Sequence, residues 1–355
     1  MKKNILVVDD SALMRRVVCD IINSDSTFQV TDVCKDGLEA YEKLKTTHYD
    51  AVFLDVNMPR MDGLEVLRKL QDEKIKTTVI MISTLALRDQ NVVFRAMELG
   101  AVDFVAKPTN IIEAKGDAFR RKILDTLSAV LKIQRPGAVS VKQRTKPVTQ
   151  KPRPSKKTSV VKGEKLIALA CSTGGPKALQ QVIPFLPEEL DAPVVLVQHM
   201  PMGFTKSMAE RLDEISKLSV KEAEEGEILR KGYVYVAPGG KHIEVARLAD
   251  GKHKIAFNDM PAIGGLKPCA NIMYDSLTKT GYDEIVCVIL TGMGADGTSG
   301  ILSLEKRKSI YVISQDAKSC VVYGMPKAVY DAGVVDEVVP LTEVAATITK
   351  RVGVH

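Results

Sequence analysis

Two stretches of this chain alternate short apolar runs with helical patterns, and this alternation restricts the fold more than any other feature. In the first stretch we predict strands at Ile5–Val8, Ala51–Leu54, Thr78–Ile82 and Phe104–Ala106. In the second we predict strands at Leu166–Cys171, Val194–Val197, Tyr233–Val236, His242–Val245, Ile285–Leu290 and Tyr311–Ser314. Such alternation is typical of α/β folds with doubly wound, mostly parallel sheets, whose ligands bind at the carboxyl ends of the strands. We therefore predict two such domains.

Apolar residues at helical spacing lie between these strands. Ser11 is positioned to cap a first helix, in which Leu13, Val17 and Ile21 share a face. Further helices are predicted at Leu38–Leu44, Leu64–Leu70, Asn91–Leu99 and Thr205–Leu212.

A basic segment separates the two stretches. Residues 135–165 contain ten Lys and Arg residues and one acidic residue, Glu164, whereas the net charge of the whole chain is only +6. The segment is rich in Pro, Thr and Ser, and it lacks the apolar surface that would offset the entropy of ordering it. We predict a domain over residues 1–125, a helix end and flexible linker over residues 126–163, and a second domain over residues 164–352.

Composition excludes several classes of protein. The folded parts are mildly acidic and no helix-turn-helix pattern follows the first domain, so a DNA-binding regulator is disfavoured and we expect no nucleic-acid partner. Six cysteines occur without a C-x-x-C pair, which indicates a reducing compartment rather than a disulfide framework. No apolar run approaches the ~18 residues of a membrane span. We expect a cytoplasmic protein that is not inserted into a membrane.

Polar side chains close all four predicted strands of the first domain. Asp9 and Asp10 follow the first strand, Asp55 the second, Ser83 the third and Lys107 the fourth. Converging carboxylates repel one another unless a cation binds, and oxygen ligands favour Mg²⁺. Lys107 and Ser83 would then supply a charge and a hydroxyl to phosphoryl oxygens.

The strings V-V-D-D-S, L-D-V-N-M-P-x-M-D-G and F-V-A-K-P resemble the receiver domain of two-component response regulators. The resemblance implies that Asp55 accepts a phosphoryl group from a histidine kinase. It also implies that Asp10, Asp55 and the backbone carbonyl of Asn57 bind Mg²⁺, with Asp9 assisting.

The same resemblance implies a switch at the far strands of the receiver. Ser83, Phe104 and Lys107 stand where the family couples phosphorylation to a surface change, and the added charge of the phosphoryl group can bias a two-state element. Phe104 is found where the family often has tyrosine.

The second domain opens with an apolar run that stops at Ser172 and continues as T-G-G-P. Glycine in a tight turn and Pro176 at the first helical position predict a strand–turn–helix junction. Such a junction presents either a serine hydroxyl or a phosphate-binding ring of N–H groups, and the segment alone does not separate the two.

A glycine loop at Gly292–Gly297 supplies a competing interpretation. It fits G-x-G-x-x-G after a strand, and Asp316 ends the next strand at about the distance of a ribose-binding acid. The alternative function is thus a receiver-controlled NAD-dependent oxidoreductase. The loop lies late in its domain, however, and its N–H groups would serve an oxyanion equally well.

A hydrolytic interpretation uses three strand ends together. Ser172, His199 and Asp296 each follow a different predicted strand. A serine needs a neighbouring imidazole to remove its proton, and a carboxylate fixes the tautomer of that imidazole.

The strings C-S-T-G-G-P, Q-H-M-P, V-A-P-G-G, L-T-G-M-G-A-D-G and V-V-Y-G-M-P-K-A are similar to those of the chemotaxis-receptor methylesterase (CheB) family. The resemblance implies Ser172 as nucleophile, His199 as general base, Asp296 as orienting carboxylate and the Met293 N–H as an oxyanion donor. Ala170 and the segment Cys269–Asn271 depart from the family pattern, and we expect neither to contact the three catalytic residues.

The resemblance also implies the reaction and its partners. We expect phosphorylation-controlled hydrolysis of glutamate γ-methyl esters, and deamidation of some glutamines, on methyl-accepting chemotaxis receptors. A chemotaxis histidine kinase would be the phosphodonor, Mg²⁺ would serve the receiver only, and the protein is expected to be a monomer peripheral to receptor arrays.

Overall fold

A computed structural model describes residues 1–84, 87–133 and 161–354 of the chain. The chain folds into two compact units, Met1–Ser140 and Val141–His355. Most of the predicted basic linker, residues 134–160, lies outside the described residues. Among the described residues, none of the helices combines the length and the apolar character that crossing a bilayer requires.

The first unit is a parallel sheet with helices between its strands. The described strands are Lys3–Val8 (β1), Phe28–Cys34 (β2), Ala51–Asp55 (β3), Val79–Ser83 (β4) and Asp103–Ala106 (β5). The helices are Ala12–Asn23 (α1), Gly37–Thr46 (α2), Gly63–Asp72 (α3), Leu87–Glu98 (α4), Ile111–Ala114 (α5) and Asp117–Val130 (α6). The strand order is β2-β1-β3-β4-β5, an arrangement of the flavodoxin type.

Side-chain caps begin the first three helices. Ser11 accepts from Met14 N at 3.4 Å and starts α1, as predicted. Asp36 starts α2, and Asp62 forms a reciprocal capping box with Glu65 at the start of α3. Such caps satisfy N–H groups that have no partner within the helix.

The second unit is built around a larger sheet. Its described strands are Lys165–Cys171 (β6), Val194–Gln198 (β7), Ser219–Glu222 (β8), Tyr233–Val236 (β9), His242–Arg247 (β10), His253–Asn258 (β11), Glu284–Ile289 (β12), Ser309–Gln315 (β13) and Glu337–Val339 (β14). The α-helices are Gly175–Leu179 (α7), Phe204–Ile215 (α8), Ala270–Ser276 (α9), Thr298–Glu305 (α10), Met325–Asp331 (α11) and Val344–Val352 (α12). Short 3₁₀ helices lie at Ile183–Phe185, Leu277–Lys279 and Leu341–Glu343.

Seven of these strands pair in the order β14-β13-β12-β6-β7-β9-β8, and every pairing between them is parallel. β10 and β11 form a separate antiparallel pair. The central strands β6 and β12 are buried along their whole length, as expected for a sheet covered on both faces. The predicted fold class, two α/β units with mostly parallel sheets, is confirmed.

The sequence analysis did not predict four of the described strands. β2, β8 and β14 lie at sheet edges, where one side meets solvent and the apolar pattern is diluted by polar residues. β11 pairs with β10 and makes an isolated bridge to Ile228, and its residues are partly buried and partly half-buried. Edge strands need fewer apolar side chains, so a search for continuous apolar runs does not find them.

Candidate functional site

The carboxyl ends of β6 and β12 form the topological switch point of the larger sheet. From β6 the chain continues to β7 on one side, and it later returns to β12 on the other. Ligands of open α/β sheets bind in the crevice that opens at such a point. Ser172 follows β6 directly, and the Gly292–Gly297 loop lies just beyond β12.

A tight turn holds Ser172 at this edge. Its N–H donates to Thr291 O at 3.0 Å, and its carbonyl accepts from Gly175 N at 2.7 Å. Gly174 has a φ of 76°, in the left-handed region that glycine adopts without strain. Ser172 is half-buried, and its hydroxyl makes no hydrogen bond with any residue that the structure describes. The hydroxyl is therefore available to a bound molecule.

Gly292 brings the loop after β12 against the serine. A Cβ atom at Gly292 would lie 2.9 Å from Ser172 Cβ and would collide with Met325 Sδ, so this approach requires glycine. Within the described chain, the N–H groups of Met293 and Thr173 donate to no protein acceptor. Sequence analysis missed Thr173, although the residue after a nucleophile in such a turn is a natural oxyanion donor.

His199 and Asp296 are in direct contact. His199 Nε2 lies 2.8 Å from Asp296 Oδ2. An ionised carboxylate only accepts hydrogen bonds, so Nε2 carries the proton of the neutral imidazole. The other ring nitrogen, Nδ1, is buried and has no hydrogen-bond partner among the residues described. The ring thus offers an uncommitted basic nitrogen.

Gln198 joins the serine turn to the end of β7. Its Nε2 donates to Ser172 O at 3.1 Å and to His199 O at 3.2 Å. The side chain is buried, and its amide oxygen occupies the space that a Cβ at Gly175 would need. One amide therefore holds the main chain at both positions. Among the described contacts, no hydrogen bond joins the side chains of Ser172 and His199. The Gln198 amide and the pairing of β6 with β7 hold the two residues close to each other.

The Asp296 carboxylate is surrounded by donors. Besides His199, it accepts from Cys269 Sγ at 3.1 Å, Ala270 N at 2.6 Å, Asn271 N at 3.0 Å and Gly297 N at 2.9 Å. Burial raises the pKa of Asp296, but the hydrogen bonds from His199, Cys269 and the main chain outweigh it and lower that pKa to about 2. The carboxylate is therefore ionised at neutral pH.

The expectation that the segment Cys269–Asn271 does not contact the three predicted catalytic residues is wrong. Cys269 immediately precedes α9, so the N–H groups that begin this helix face Asp296. The Asn271 side chain also accepts from Gly297 N at 3.0 Å and Gly300 N at 2.9 Å. Ala170, by contrast, is buried inside β6 between Val197 and Ile289 of the neighbouring strands.

The contacts around the glycine loop differ from those of a dinucleotide site. Asp316 accepts from Ser319 N at 3.0 Å and from the Ser319 hydroxyl, so this acid stabilises its own turn. Gly292 packs on Ser172, and Gly297 precedes α10 with a φ of 92°. The loop therefore contributes to the surroundings of the serine.

Three carboxylates meet at the carboxyl edge of the first sheet. One oxygen from each of Asp9, Asp10 and Asp55 lies within 4.8 Å of the others. Lys107 Nζ lies 2.7 Å from Asp55 Oδ2 and 2.9 Å from Asp9 Oδ2. Burial raises the pKa of Asp55 to about 6, with Lys107 opposing the rise and Asp9 adding to it. Three carboxylate oxygens so close together fit a hard cation such as Mg²⁺.

The remaining receiver residues lie on neighbouring strands. Asn57 is exposed, two residues beyond β3. Ser83 ends β4 and donates to Thr84 O at 3.2 Å, and Phe104 is buried in β5 opposite Met81. Their roles in metal binding and switching stay predictions.

Two family models match the chain. The CheB methylesterase model matches residues 167–348, and the response regulator receiver domain model matches residues 5–115. A protein-glutamate methylesterase/protein-glutamine glutaminase of Pyrococcus horikoshii is 41% identical over 99% of this chain and 94% of its own length. The chain belongs to the CheB methylesterase family.

Other relatives agree with this assignment. The Bacillus subtilis protein of the same name is 39% identical over 98% of this chain and 98% of its own length. The crystal structure of the Thermotoga maritima CheB methylesterase catalytic domain matches with a TM-score of 0.51 and 40% identity, and covers 54% of this chain and 99% of that one. These comparisons give the oxidoreductase alternative no support.

Proposed function

We propose that this protein hydrolyses γ-methyl esters of glutamate residues on chemotaxis receptors, releasing methanol, and that it deamidates particular receptor glutamines. One observation carries the proposal. A buried His199–Asp296 pair keeps one imidazole nitrogen uncommitted near the serine turn, in a chain 41% identical over almost its whole length to a curated enzyme of that name.

Ser172 is the proposed nucleophile. Its Oγ attacks the ester carbonyl carbon while His199 Nδ1 takes the hydroxyl proton. The tetrahedral intermediate collapses to an acyl-serine, and the imidazolium returns that proton to the departing methoxide. Water, deprotonated by the same nitrogen, then releases the glutamate and the serine. With a glutamine substrate the leaving group is ammonia. Asp296 keeps the proton on Nε2 throughout.

Two main-chain donors would stabilise the oxyanion. The N–H groups of Thr173 and Met293 have no acceptor within the described protein, and both belong to loops that meet at Ser172. Losing one such donor costs about 3 kcal/mol of the activation barrier. The same donors would serve ester and amide substrates alike.

Phosphorylation of Asp55 by a histidine kinase is the proposed control. Asp9, Asp10, Asp55 and the Asn57 carbonyl would hold Mg²⁺, which neutralises charge on the phosphoryl group. Lys107 would bind a phosphoryl oxygen, and Ser83 and Phe104 would transmit the change.

The proposed organisation follows from these roles. A receiver over residues 1–125 and a catalytic domain over residues 164–352 would be joined by the basic linker. Methylated receptors are the substrate and a chemotaxis kinase the phosphodonor. All six cysteines are free, which supports a reducing, cytoplasmic setting. We expect a monomer.

Methanol release from methylated receptor membranes tests the proposal. The full chain with a small-molecule phosphodonor and Mg²⁺ should release methanol, and Ser172→Ala should reduce the rate by about 10⁶-fold while keeping the fold. Asp55→Asn should abolish the stimulation by phosphodonor. Full activity of Ser172→Ala would refute the assignment of the nucleophile.

A further inference from the structure

We propose that Cys269 is a positioning residue of this active site, whose thiol donates a hydrogen bond to Asp296 and thereby holds His199 in its reactive orientation. The inference rests on the proposed function and adds to it a residue that the sequence analysis had set apart from the catalytic groups.

The thiol binds the carboxylate oxygen that His199 does not use. Cys269 Sγ lies 3.1 Å from Asp296 Oδ1, whereas His199 Nε2 lies 2.8 Å from Oδ2. A carboxylate can rotate about its last bond, and each donor on Oδ1 opposes that rotation. Asn271 N and Gly297 N also bind Oδ1, so the thiol is the one side-chain donor on this oxygen among the described residues.

The two groups have fixed roles at neutral pH. Burial and the nearby Asp296 charge raise the pKa of Cys269 to about 12, so the thiol keeps its proton. The lowered pKa of Asp296 keeps the carboxylate ionised. The thiol is therefore the donor and the carboxylate the acceptor, which makes this a charge-assisted bond.

The main chain that carries the thiol is itself held in place. The Cys269 N–H donates to His242 Nδ1 at 3.1 Å, and His242 Nε2 in turn donates to Pro261 O at 3.2 Å. Cys269 and His242 are both buried. With its main chain anchored in this way, Cys269 presents its thiol to Asp296 from a fixed position.

Removing the thiol has an electrostatic consequence besides a geometric one. Burial raises the pKa of Asp296, and His199 and Cys269 lower it. The Asp296 charge in turn helps to raise the pKa of the Tyr274 phenol, which donates its hydroxyl to Ala168 O at 3.1 Å. With one donor fewer, the carboxylate stabilises the protonated imidazole more strongly. The acidic limb of the pH–rate profile should then move to higher pH, which loss of packing alone would not cause.

Three variants of the full chain test this inference. Cys269→Ala removes the donor and Cys269→Ser keeps one. Cys287→Ala removes a buried thiol in β12 that makes only a long contact, at 4.0 Å, with Ile285 O among the described residues. One readout is the kcat, KM and pH profile of methanol release from methylated receptor membranes. The other is the rate at which a fluorophosphonate labels Ser172, which requires no receptor.

We expect Cys269→Ala to lower kcat and the labelling rate by about threefold to tenfold, with KM unchanged, as for loss of one weak donor to a charged group. Its acidic limb should shift upward, Cys269→Ser should restore both readouts, and Cys287→Ala should resemble the wild type. A wild-type rate and profile in Cys269→Ala, or equal losses in Cys269→Ala and Cys287→Ala, would overturn the inference.

The labelling experiment separates this inference from the proposed function. If the wild type releases no methanol but Cys269→Ala still slows the labelling of Ser172, the positioning role stands and the receptor substrate is wrong. If Ser172 is not labelled in the wild type, both fail.

Discussion

Asp55 and Asp296 are both buried carboxylates at the carboxyl edge of a parallel sheet, yet their protonation properties are opposite. Asp296 is 8% exposed and accepts five hydrogen bonds, and its pKa falls to about 2. Asp55 is 3% exposed, with Lys107 and Val56 N as its donors and Asp9 as a like-charged neighbour. Its pKa rises to about 6. Two buried carboxylates thus show opposite pKa shifts, because Asp296 accepts from more donors and Asp55 lies beside the like charge of Asp9.

The two pKa shifts change the stability of the fold in opposite directions as the pH changes. The lowered pKa of Asp296 stabilises the fold above its unfolded value of about 4, and this contribution is lost as the pH falls toward 2. The raised pKa of Asp55 acts in the other direction, since stability is lost as the pH rises from about 4 to about 6. Hydrogen bonds compensate the charge of the Asp296 carboxylate, whereas the charge of Asp55 is only partly compensated by Lys107.

The largest effect is expected from removing the Asp296 carboxylate. Asp296→Asn keeps the shape but gives an amide that cannot accept from all five donors, so the imidazole loses its orientation and tautomer. We expect kcat for methanol release to fall by about 10³–10⁴-fold. Asp331→Asn, at an exposed position in α11, is the control and should keep its rate. A fall of less than tenfold would contradict the role given to Asp296.

A smaller effect is expected in the receiver, where removing the carboxylate should stabilise the fold. Asp55→Asn removes the poorly compensated charge, so at pH 7.5 the free energy of unfolding should rise by about 1–3 kcal/mol. At pH 4, where the folded wild type is protonated, the gain should disappear. Hydrogen exchange of peptides from β3 and β4 measures this in the full chain. A gain that is constant with pH would contradict the raised pKa of Asp55.

The smallest expected effect tests whether the carboxylate cluster around Asp55 binds a cation. Mg²⁺ at about five times its Kd should stabilise the receiver by about 1 kcal/mol, and the same exchange experiment measures the gain. Asp55→Asn should gain much less, and NaCl at matched ionic strength should not reproduce the effect in the wild type. An equal gain in both proteins would locate the metal elsewhere.

Much of both sheets was predictable because buried parallel strands leave continuous apolar runs, as in β6, β7 and β12. That polar side chains would meet at one edge of each sheet was predictable for the same reason, since parallel strands bring their carboxyl ends to one edge. The contacts of Cys269 and Gln198 were not. They depend on where a helix start or an amide lies in space, which no periodicity in the sequence records.

The amide of Gln198 fills the volume beside Gly175 and leaves none for a methyl group. The two positions, twenty-three residues apart, therefore form a single steric unit, and a library that randomises either one alone would return mostly damaged enzymes. Shortening residue 198 would make room for a side chain at 175, but it would also release the two carbonyl groups that the amide now restrains. Diversification of this active site is thus constrained to paired exchanges.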